Sequence, residues 1–299
     1  NRTFSASVSK RRLLKCAVNV GLQVYGGSAS MPRNAVALSA YKALAMKCAV
    51  TFGGRELGLS REFIAMDASE KANISFWIGM AFAALAADEC LGVNRLYHAA
   101  SLRRSKLLTM ASRRGRSLAD FVGQDQQGRW HSIEAKARQD RVSAKVRQAW
   151  KKQAVGIARV GRASVATRSY SYTCVDSPYR VYLIDPDGPT QDGASPQPTE
   201  VLKTAIRRYY GTLAALLSEG DTRIINRGGH DVSVALVGYD TLDQEYMYLG
   251  MATDAFRTVA NSELPARIEA RDLSDTYIGS DGVVVVTSRS NDLDGQRNE

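Results

Sequence analysis

The chain has few of the residues that build zinc sites and disulfide frameworks. Its 299 residues include only four cysteines and three histidines. The cysteines are scattered and form no Cys-x-x-Cys pair; they are Cys16, Cys48, Cys90 and Cys174. Because zinc ligands cluster and structural disulfides need paired cysteines, we expect neither, and a reducing cytoplasmic location fits this usage.

Long apolar runs are also scarce, which bears on membrane contact. The membrane candidate is the run over residues 74–87, which contains Ser75 and is followed by Asp88 and Glu89. This run is shorter than the roughly 20 residues that cross a bilayer, so it predicts a buried helix and no membrane contact. We see no secretory signal, although the chain does not start with Met and a trimmed terminus could hide one.

Nucleotide-binding fingerprints are missing as well, whereas positive charge is in excess. Neither a Walker motif nor a Rossmann glycine pattern occurs, so we expect no ATP-driven activity. Lysine and arginine number 40 against 30 acidic residues, for a net charge of +10. This balance favours a polyanionic partner, although a solvated basic surface without that function has the same composition. The basic residues that we expect to bind phosphates are Arg103, Arg104, Arg113, Arg114, Arg116, Arg138, Lys145 and Lys152.

The most informative stretch of the chain is a predicted β-hairpin within residues 119–138. Apolar positions alternate on both sides of Gln126-Gln127-Gly128, as they do in paired strands. These three residues suit a hairpin loop in which a type I turn is closed by a glycine in the left-handed region. Such a loop pairs Asp125 with Arg129, and this pairing sets the register of the whole hairpin.

The register brings three charged side chains to one face. Counting outward from the turn, Asp120 lies opposite Glu134, and Lys136 shares the face of Glu134 because it is two residues further on. Adjacent carboxylates repel each other unless a cation lies between them. Hard oxygen ligands at this spacing suit Mg²⁺ or Mn²⁺. The alternative is an exposed hairpin whose Glu-x-Lys pair is merely solvated.

The segment resembles the motif of the PD-(D/E)XK nuclease superfamily. Ala119-Asp120 stands where that motif has Pro-Asp, and Glu134-Ala135-Lys136 matches its Glu-x-Lys. The resemblance implies that Asp120, Glu134 and the carbonyl of Ala135 hold Mg²⁺ or Mn²⁺. It also implies that Lys136 orients the attacking water or neutralises the phosphate.

The resemblance further implies a metal-dependent nuclease that acts on DNA, with RNA left open, in bacterial defence or DNA processing. The alternative is a non-enzymatic nucleic-acid-binding or assembly protein that keeps the fold. A homo-oligomer or a partner protein from a defence system is compatible with either function, and the sequence does not choose between them.

The elements around the hairpin predict an α/β fold with a restriction-endonuclease-like core, in which helices flank a central mixed sheet. A helix begins after an N-cap at Ser69 and stops at Gly92, and Asp140 caps a second helix. The order of helix, three strands, helix and strand is the core order of that fold. Besides the hairpin, these elements are expected at residues 69–91, 93–99, 141–160 and 180–184.

The rest of the chain is expected to extend this core. We expect a helical extension over residues 1–68, the nuclease-like core over 69–240, and a helix and hairpin packed on the core over 241–299. Further elements are a helix near 33–50, a loop over 185–199, a helix over 199–218, a strand over 232–237, a helix over 243–259 and a hairpin around 279–283.

Other polar residues are candidates for the same site. Gln153 falls in the apolar stripe of the second helix, so its amide either bonds to neighbouring backbone or reaches the site. Several families of the superfamily carry Gln or Lys on this helix, which favours the site. Glu70 or Glu89 is a candidate for a further acidic ligand, and the choice stays open. Asp125 is expected to cap the turn and His131 to face away from Glu134.

Overall fold

The computed structural model describes residues 8–24, 32–52, 56–111, 118–139, 142–184, 199–219, 221–241, 243–289, 291 and 293. The helices in these ranges are α1 (Lys10–Val24), α2 (Pro32–Cys48), α3 (Arg61–Ala65), α4 (Ala68–Leu91), α5 (Ala99–Arg104), α6 (Ala144–Ala154), α7 (Thr199–Glu219) and α8 (Thr253–Ala260). The predicted cap at Asp140 and the predicted loop over 185–198 lie outside the described residues.

The described strands begin with a short pair, β1 (Val50–Thr51) and β2 (Gly58–Leu59). The strands of the first large sheet are β3 (Leu96–His98), β4 (Leu108–Met110), β5 (Phe121–Gln124), β6 (Trp130–Arg138), β7 (Ile157–Val160), β8 (Ala163–Cys174) and β9 (Arg180–Ile184). Those of the second are β10 (Thr222–Arg227), β11 (His230–Asp240), β12 (Glu245–Ala252), β13 (Arg271–Asp272), β14 (Thr276–Ile278) and β15 (Val283–Ser288).

The first sheet is mixed, curled and flanked by helices. Its strand order is β3-β5-β6-β8-β7-β4, and β9 pairs with the second half of β8. Strands β6 and β8 run parallel, and every other described pair in the sheet is antiparallel. Helix α6 lies in the connection between the two parallel strands, as crossovers of this kind require. The coarse α/β prediction of a mixed sheet with flanking helices is therefore confirmed.

Helix α4 packs on one face of this sheet. Asp67 and Glu70 form a capping box at its start, so the N-cap is Asp67 and the prediction of Ser69 is wrong. The helix ends at Gly92 as predicted. At Gly79 a Cβ atom would lie 2.9 Å from the Cβ of Ala137, so only glycine lets the helix approach strand β6 this closely.

The length of α4 bears on the membrane prediction. The helix has 24 residues and is, by length and composition alone, long and apolar enough to cross a bilayer. It extends beyond the apolar run over residues 74–87 at both ends. In its most apolar segment, 61% of the residues are buried inside the fold. Phe76 is exposed, so the prediction of a buried helix holds for only part of its surface.

The second sheet is antiparallel throughout its described strands, in the order β10-β11-β12-β15-β14-β13. Helix α7 precedes it, and its tyrosines pack in a core cluster with Met251 and Val285 of this sheet and with Val122 and Trp130 of the first. The expected domain boundary at residue 240 falls between two paired strands, β11 and β12.

Two expected helices differ in the structure, and one long strand was missed. The helix expected over 141–160 ends at Ala154, and Ile157–Val160 forms strand β7; a short apolar run fits both periods. Strand β8 was missed because small polar residues, Ser169, Ser171 and Thr173, fill one of its two covered faces, so the strand lacks an apolar stripe there. The helix expected over 243–259 is strand β12 followed by the shorter helix α8.

Candidate functional site

The hairpin forms in the predicted register. Phe121 pairs with Ile133, and the N–H of Asp125 donates to the carbonyl of Arg129 at 3.0 Å. Gly128 has φ +77°, in the left-handed region that favours glycine. The predicted turn, its left-handed glycine and the register of the hairpin are therefore confirmed.

Asp125 and His131 have structural roles, as expected. One carboxylate oxygen of Asp125 accepts from the backbone N–H groups of Gln127 and Arg129, both at 2.9 Å. The other lies 2.7 Å from Nε of Arg129 and 3.0 Å from Nε2 of His131. Burial works against ionisation, but these hydrogen bonds hold the pKa of Asp125 below its usual value. His131 is fixed further by Thr167, 2.8 Å from Nδ1.

Asp120 and Glu134 face each other at the open end of the hairpin. The backbone N–H of Asp120 donates to Oε2 of Glu134 at 3.1 Å. In return, the N–H of Ala135 donates to Oδ2 of Asp120 at 2.9 Å. Nζ of Lys136 forms an ion pair with Oε1 of Glu134. The structure therefore brings together the three charged side chains that the motif predicts.

Glu134 is the most perturbed acid of this group. Only 1% of the residue is exposed. Burial and the neighbouring charge of Asp120 raise the pKa of Glu134 to about 7, although Lys136 opposes the shift. Titratable groups with such values concentrate at functional sites. Glu134 therefore changes its protonation state near neutral pH.

The backbone of Ala135 contributes to the same corner. In an extended strand the N–H and C=O of one residue point to the same edge. Because the N–H of Ala135 points at Asp120, its carbonyl oxygen faces the side on which the carboxylates meet. Strand β5 begins only at Phe121, so the regular β5–β6 pairing stops before it reaches this position.

These donors fit a hard divalent cation. Two carboxylates and a carbonyl are oxygen ligands, and Mg²⁺ usually takes one or two protein carboxylates together with water and phosphate oxygens. Within the described ranges no cluster contains three or more His, Cys, Asp or Glu side chains. The fit therefore rests on Asp120, Glu134 and Ala135, with substrate and water as the remaining ligands.

The further acidic candidates lie elsewhere. Glu70 accepts a hydrogen bond from the N–H of Asp67 at the start of α4, and Glu89 pairs with Arg12 near its end. Gly79, between them, lies against Ala137 of strand β6. At about 1.5 Å rise per residue, both glutamates lie roughly 14 Å along the helix from that contact. Neither contact belongs to the candidate site.

Gln153 lies near the end of α6, and its role in the site stays a prediction. The C-terminal end of α6 lies over β6, because Oγ of Ser132 donates to the carbonyl of Ala154 at 3.1 Å. Gln153 is half-buried there. Among the described residues, its amide makes no hydrogen bond to Asp120, Glu134 or Lys136.

The predicted phosphate-binding residues that the structure describes are exposed. Arg103 and Arg104 end helix α5, whose first N–H, that of Ala99, donates to the carbonyl of Asp120 at 2.9 Å. Arg138 ends β6, two residues beyond Lys136, and Lys145 and Lys152 are on α6. Arg113, Arg114 and Arg116 lie outside the described residues.

Two tyrosines beside the site were missed from the sequence. In the β6–β8 register Tyr170 pairs with Glu134 and Tyr172 with Lys136, so the rings share the face of these side chains. The Tyr-x-Tyr alternation was the available signal, but it has meaning only once β8 is recognised as a strand.

Comparison of the chain with protein-family models, with curated proteins and with solved structures found no match.

Proposed function

We propose that this protein is a metal-dependent nuclease of the PD-(D/E)XK type, with its active site at Asp120, Glu134 and Lys136. The observation that carries the proposal is the pair of facing carboxylates with one lysine at its edge. Lys136 and the backbone N–H groups offset part of the repulsion between the two carboxylates, and a divalent cation would offset the rest. The exposed basic residues around it supply what a polyanionic substrate needs.

Each residue of the site has a proposed role. Asp120, Glu134 and the carbonyl of Ala135 would hold Mg²⁺ or Mn²⁺. A divalent cation bound there supplies a water of lowered pKa and offsets charge on the phosphate. Glu134 must release its proton before it can bind the cation. Lys136 would then leave its ion pair with Glu134 and contact a phosphate oxygen or the attacking water instead.

The substrate would be held mainly through its backbone. Arg103 and Arg104 extend from the helix that is tied to Asp120, and Arg138 follows Lys136 on the same strand. Contacts of this kind position a polynucleotide without reading its sequence. DNA is the proposed substrate, and RNA is tested beside it.

A cleavage assay tests this proposal. Supercoiled plasmid, linear duplex, single-stranded DNA and RNA are incubated with Mg²⁺, Mn²⁺, Ca²⁺ or EDTA. We expect cleavage with Mg²⁺ or Mn²⁺ and none with EDTA, and loss of cleavage in Asp120→Asn. Arg257→Gln, an exposed change on α8, is the control that should remain active. Cleavage that persists in EDTA, or an active Asp120→Asn variant, would overturn the proposed chemistry.

The alternative of a binding protein without activity makes a different prediction. In that case all four substrates stay intact in every metal, while binding to nucleic acid remains. Titration with Mn²⁺ by calorimetry separates the two further. The nuclease proposal requires that the wild type binds Mn²⁺ and releases a proton near pH 7 on binding, and that Asp120→Asn does not bind Mn²⁺.

A further inference from the structure

A strip of aromatic and basic side chains runs from the candidate site to the edge of the first sheet. It begins at Lys136 on β6, whose partner across the parallel pair is Tyr172. The partner of Tyr172 on β9 is Tyr182. Because directly paired residues share a face, all three point to the face that carries Glu134.

The rings in this strip are stacked. Tyr172 and Tyr182 have centroids 5.8 Å apart and an interplanar angle of 16°. Trp150 of α6 closes the inner end, with its ring 5.4 Å from that of Tyr172. Tyr182 is at the outer end and is 43% exposed. Strand β9 pairs only with β8 among the described strands, so Tyr182 lies at a sheet edge.

A second row on the same face is positively charged. Arg138 on β6 pairs with Cys174 on β8, and Cys174 pairs with Arg180 on β9. Both arginines are exposed. Arg147 of α6 is also near the rings, because its charge lowers the pKa of Tyr172 against the larger, opposite effect of burial. The exposed ring of Tyr182 therefore lies on a face that carries basic groups.

We propose that this strip binds a single-stranded segment of the substrate, with a base stacked on Tyr182 and phosphates at Arg138 and Arg180. The inference rests on the proposed function, since the strand must continue from the phosphate held at Lys136. Two strand spacings, about 10 Å, separate Lys136 from Tyr182. Aromatic rings between basic groups bind single strands because every base has a face that can stack. In a duplex the bases are already stacked on each other.

Binding measured without cleavage tests the strip separately from the nuclease activity. Labelled oligo-dT, oligo-U and a duplex of equal length are titrated in EDTA by fluorescence anisotropy. Tyr182→Ala should weaken single-strand binding by about tenfold to a hundredfold and leave duplex binding nearly unchanged. Tyr182→Phe keeps the ring and should bind like the wild type.

The chain offers a matched control in the second sheet. Tyr239 is 46% exposed and lies against Tyr246 with centroids 4.9 Å apart, so Tyr239→Ala removes an equally exposed ring far from the site in sequence. It should leave single-strand binding unchanged. Equal losses in Tyr182→Ala and Tyr239→Ala, or equal losses in Tyr182→Ala and Tyr182→Phe, would overturn the inference.

Stacking itself is read from a 2-aminopurine placed in the oligonucleotide. Its fluorescence should be quenched on binding to the wild type and to Tyr182→Phe but not to Tyr182→Ala. Binding of oligo-dT, of oligo-U or of both supports the strip. If neither oligomer binds, the strip is wrong even when duplex cleavage succeeds; if binding succeeds and cleavage fails, the nuclease proposal is wrong and the strip stands.

Discussion

Two buried carboxylates in this protein are paired with lysine in very different ways. Asp281 is fully buried in the turn between β14 and β15. It accepts hydrogen bonds from Tyr209 at 2.6 Å and Asn19 at 3.0 Å and pairs with Lys15 at 2.7 Å. Glu134 also pairs with a lysine, but a second carboxylate lies beside it and the side chain of Lys136 is 25% exposed.

The difference shows how surroundings decide what a charge does. Burial alone would lower the pKa of Lys15, but Asp281 raises it to about 12, so Lys15 stays charged through the neutral range. Burial and, after it, the charge of Asp120 raise the pKa of Glu134 to about 7 although Lys136 opposes the shift. A carboxylate surrounded by donors ties elements together, whereas one that faces another acid is available to a cation.

The largest effect should come from removing the satisfied acid. Asp281→Ala leaves Lys15 buried without its partner and should lower the free energy of unfolding by about 3–5 kcal/mol, measured by urea denaturation at pH 7. The double variant Lys15→Met with Asp281→Leu should recover most of that loss, because an apolar pair of similar size is often neutral. A single-variant loss under about 1 kcal/mol would contradict the assigned role.

Removing the lysine of the candidate site should act on rate and not on folding. Lys136→Ala should reduce cleavage by about 10²- to 10³-fold, the usual cost of losing a positioned electrostatic group. Its melting temperature should stay close to that of the wild type, since the side chain is partly exposed. A fully active Lys136→Ala would remove the lysine from the mechanism.

Neutralising Glu134 should stabilise the metal-free protein. The pKa of Glu134 is raised in the folded state, so the folded protein binds more protons than the unfolded chain between about pH 4.5 and 7. Stability from this group therefore falls as pH rises through that window and is lowest above pH 7. Glu134→Gln should gain about 1–3 kcal/mol at pH 8 and show a flatter profile.

Adding a divalent metal should reverse the order of stability of the wild type and Glu134→Gln. Saturating Mn²⁺ stabilises only a protein that binds it, by about 2.7 kcal/mol at a hundredfold excess over Kd. The wild type should gain and Glu134→Gln should not, as read from thermal unfolding at pH 8. A wild type that is more stable than Glu134→Gln without metal would show that Glu134 is satisfied like Asp281.

The smallest effect is expected at Gln153. Its amide makes no described hydrogen bond to the charged residues of the site. Gln153→Ala should therefore change the activation free energy of cleavage by no more than about 0.5 kcal/mol, the size of effect that surface substitutions usually have on stability. Initial rates with saturating and limiting substrate measure it. A loss comparable to that of Lys136→Ala would return Gln153 to the catalytic group.

The parts that sequence predicted well are those fixed by local rules. A three-residue turn with Gly128 sets a register, and the register alone brings Asp120 opposite Glu134. The parts that failed depend on distant partners. Strand β8 is covered on both faces, and β7 is a strand only because it pairs with β4 and β8. The platform of Tyr172 and Tyr182 could not be anticipated without that pairing.

The parallel pairing of β6 with β8 also sets an order of events in folding. The hairpin that joins Asp120 to Glu134 closes over few residues, and such contacts form early. The ladder partner of Glu134 is Tyr170, 36 residues further on and beyond a helix and another strand. Long-range parallel pairing is slow. Because burial is the largest cause of the shift, we expect the pKa of Glu134 to reach about 7 only once β8 has paired with β6, so that this pKa reports when the fold is complete.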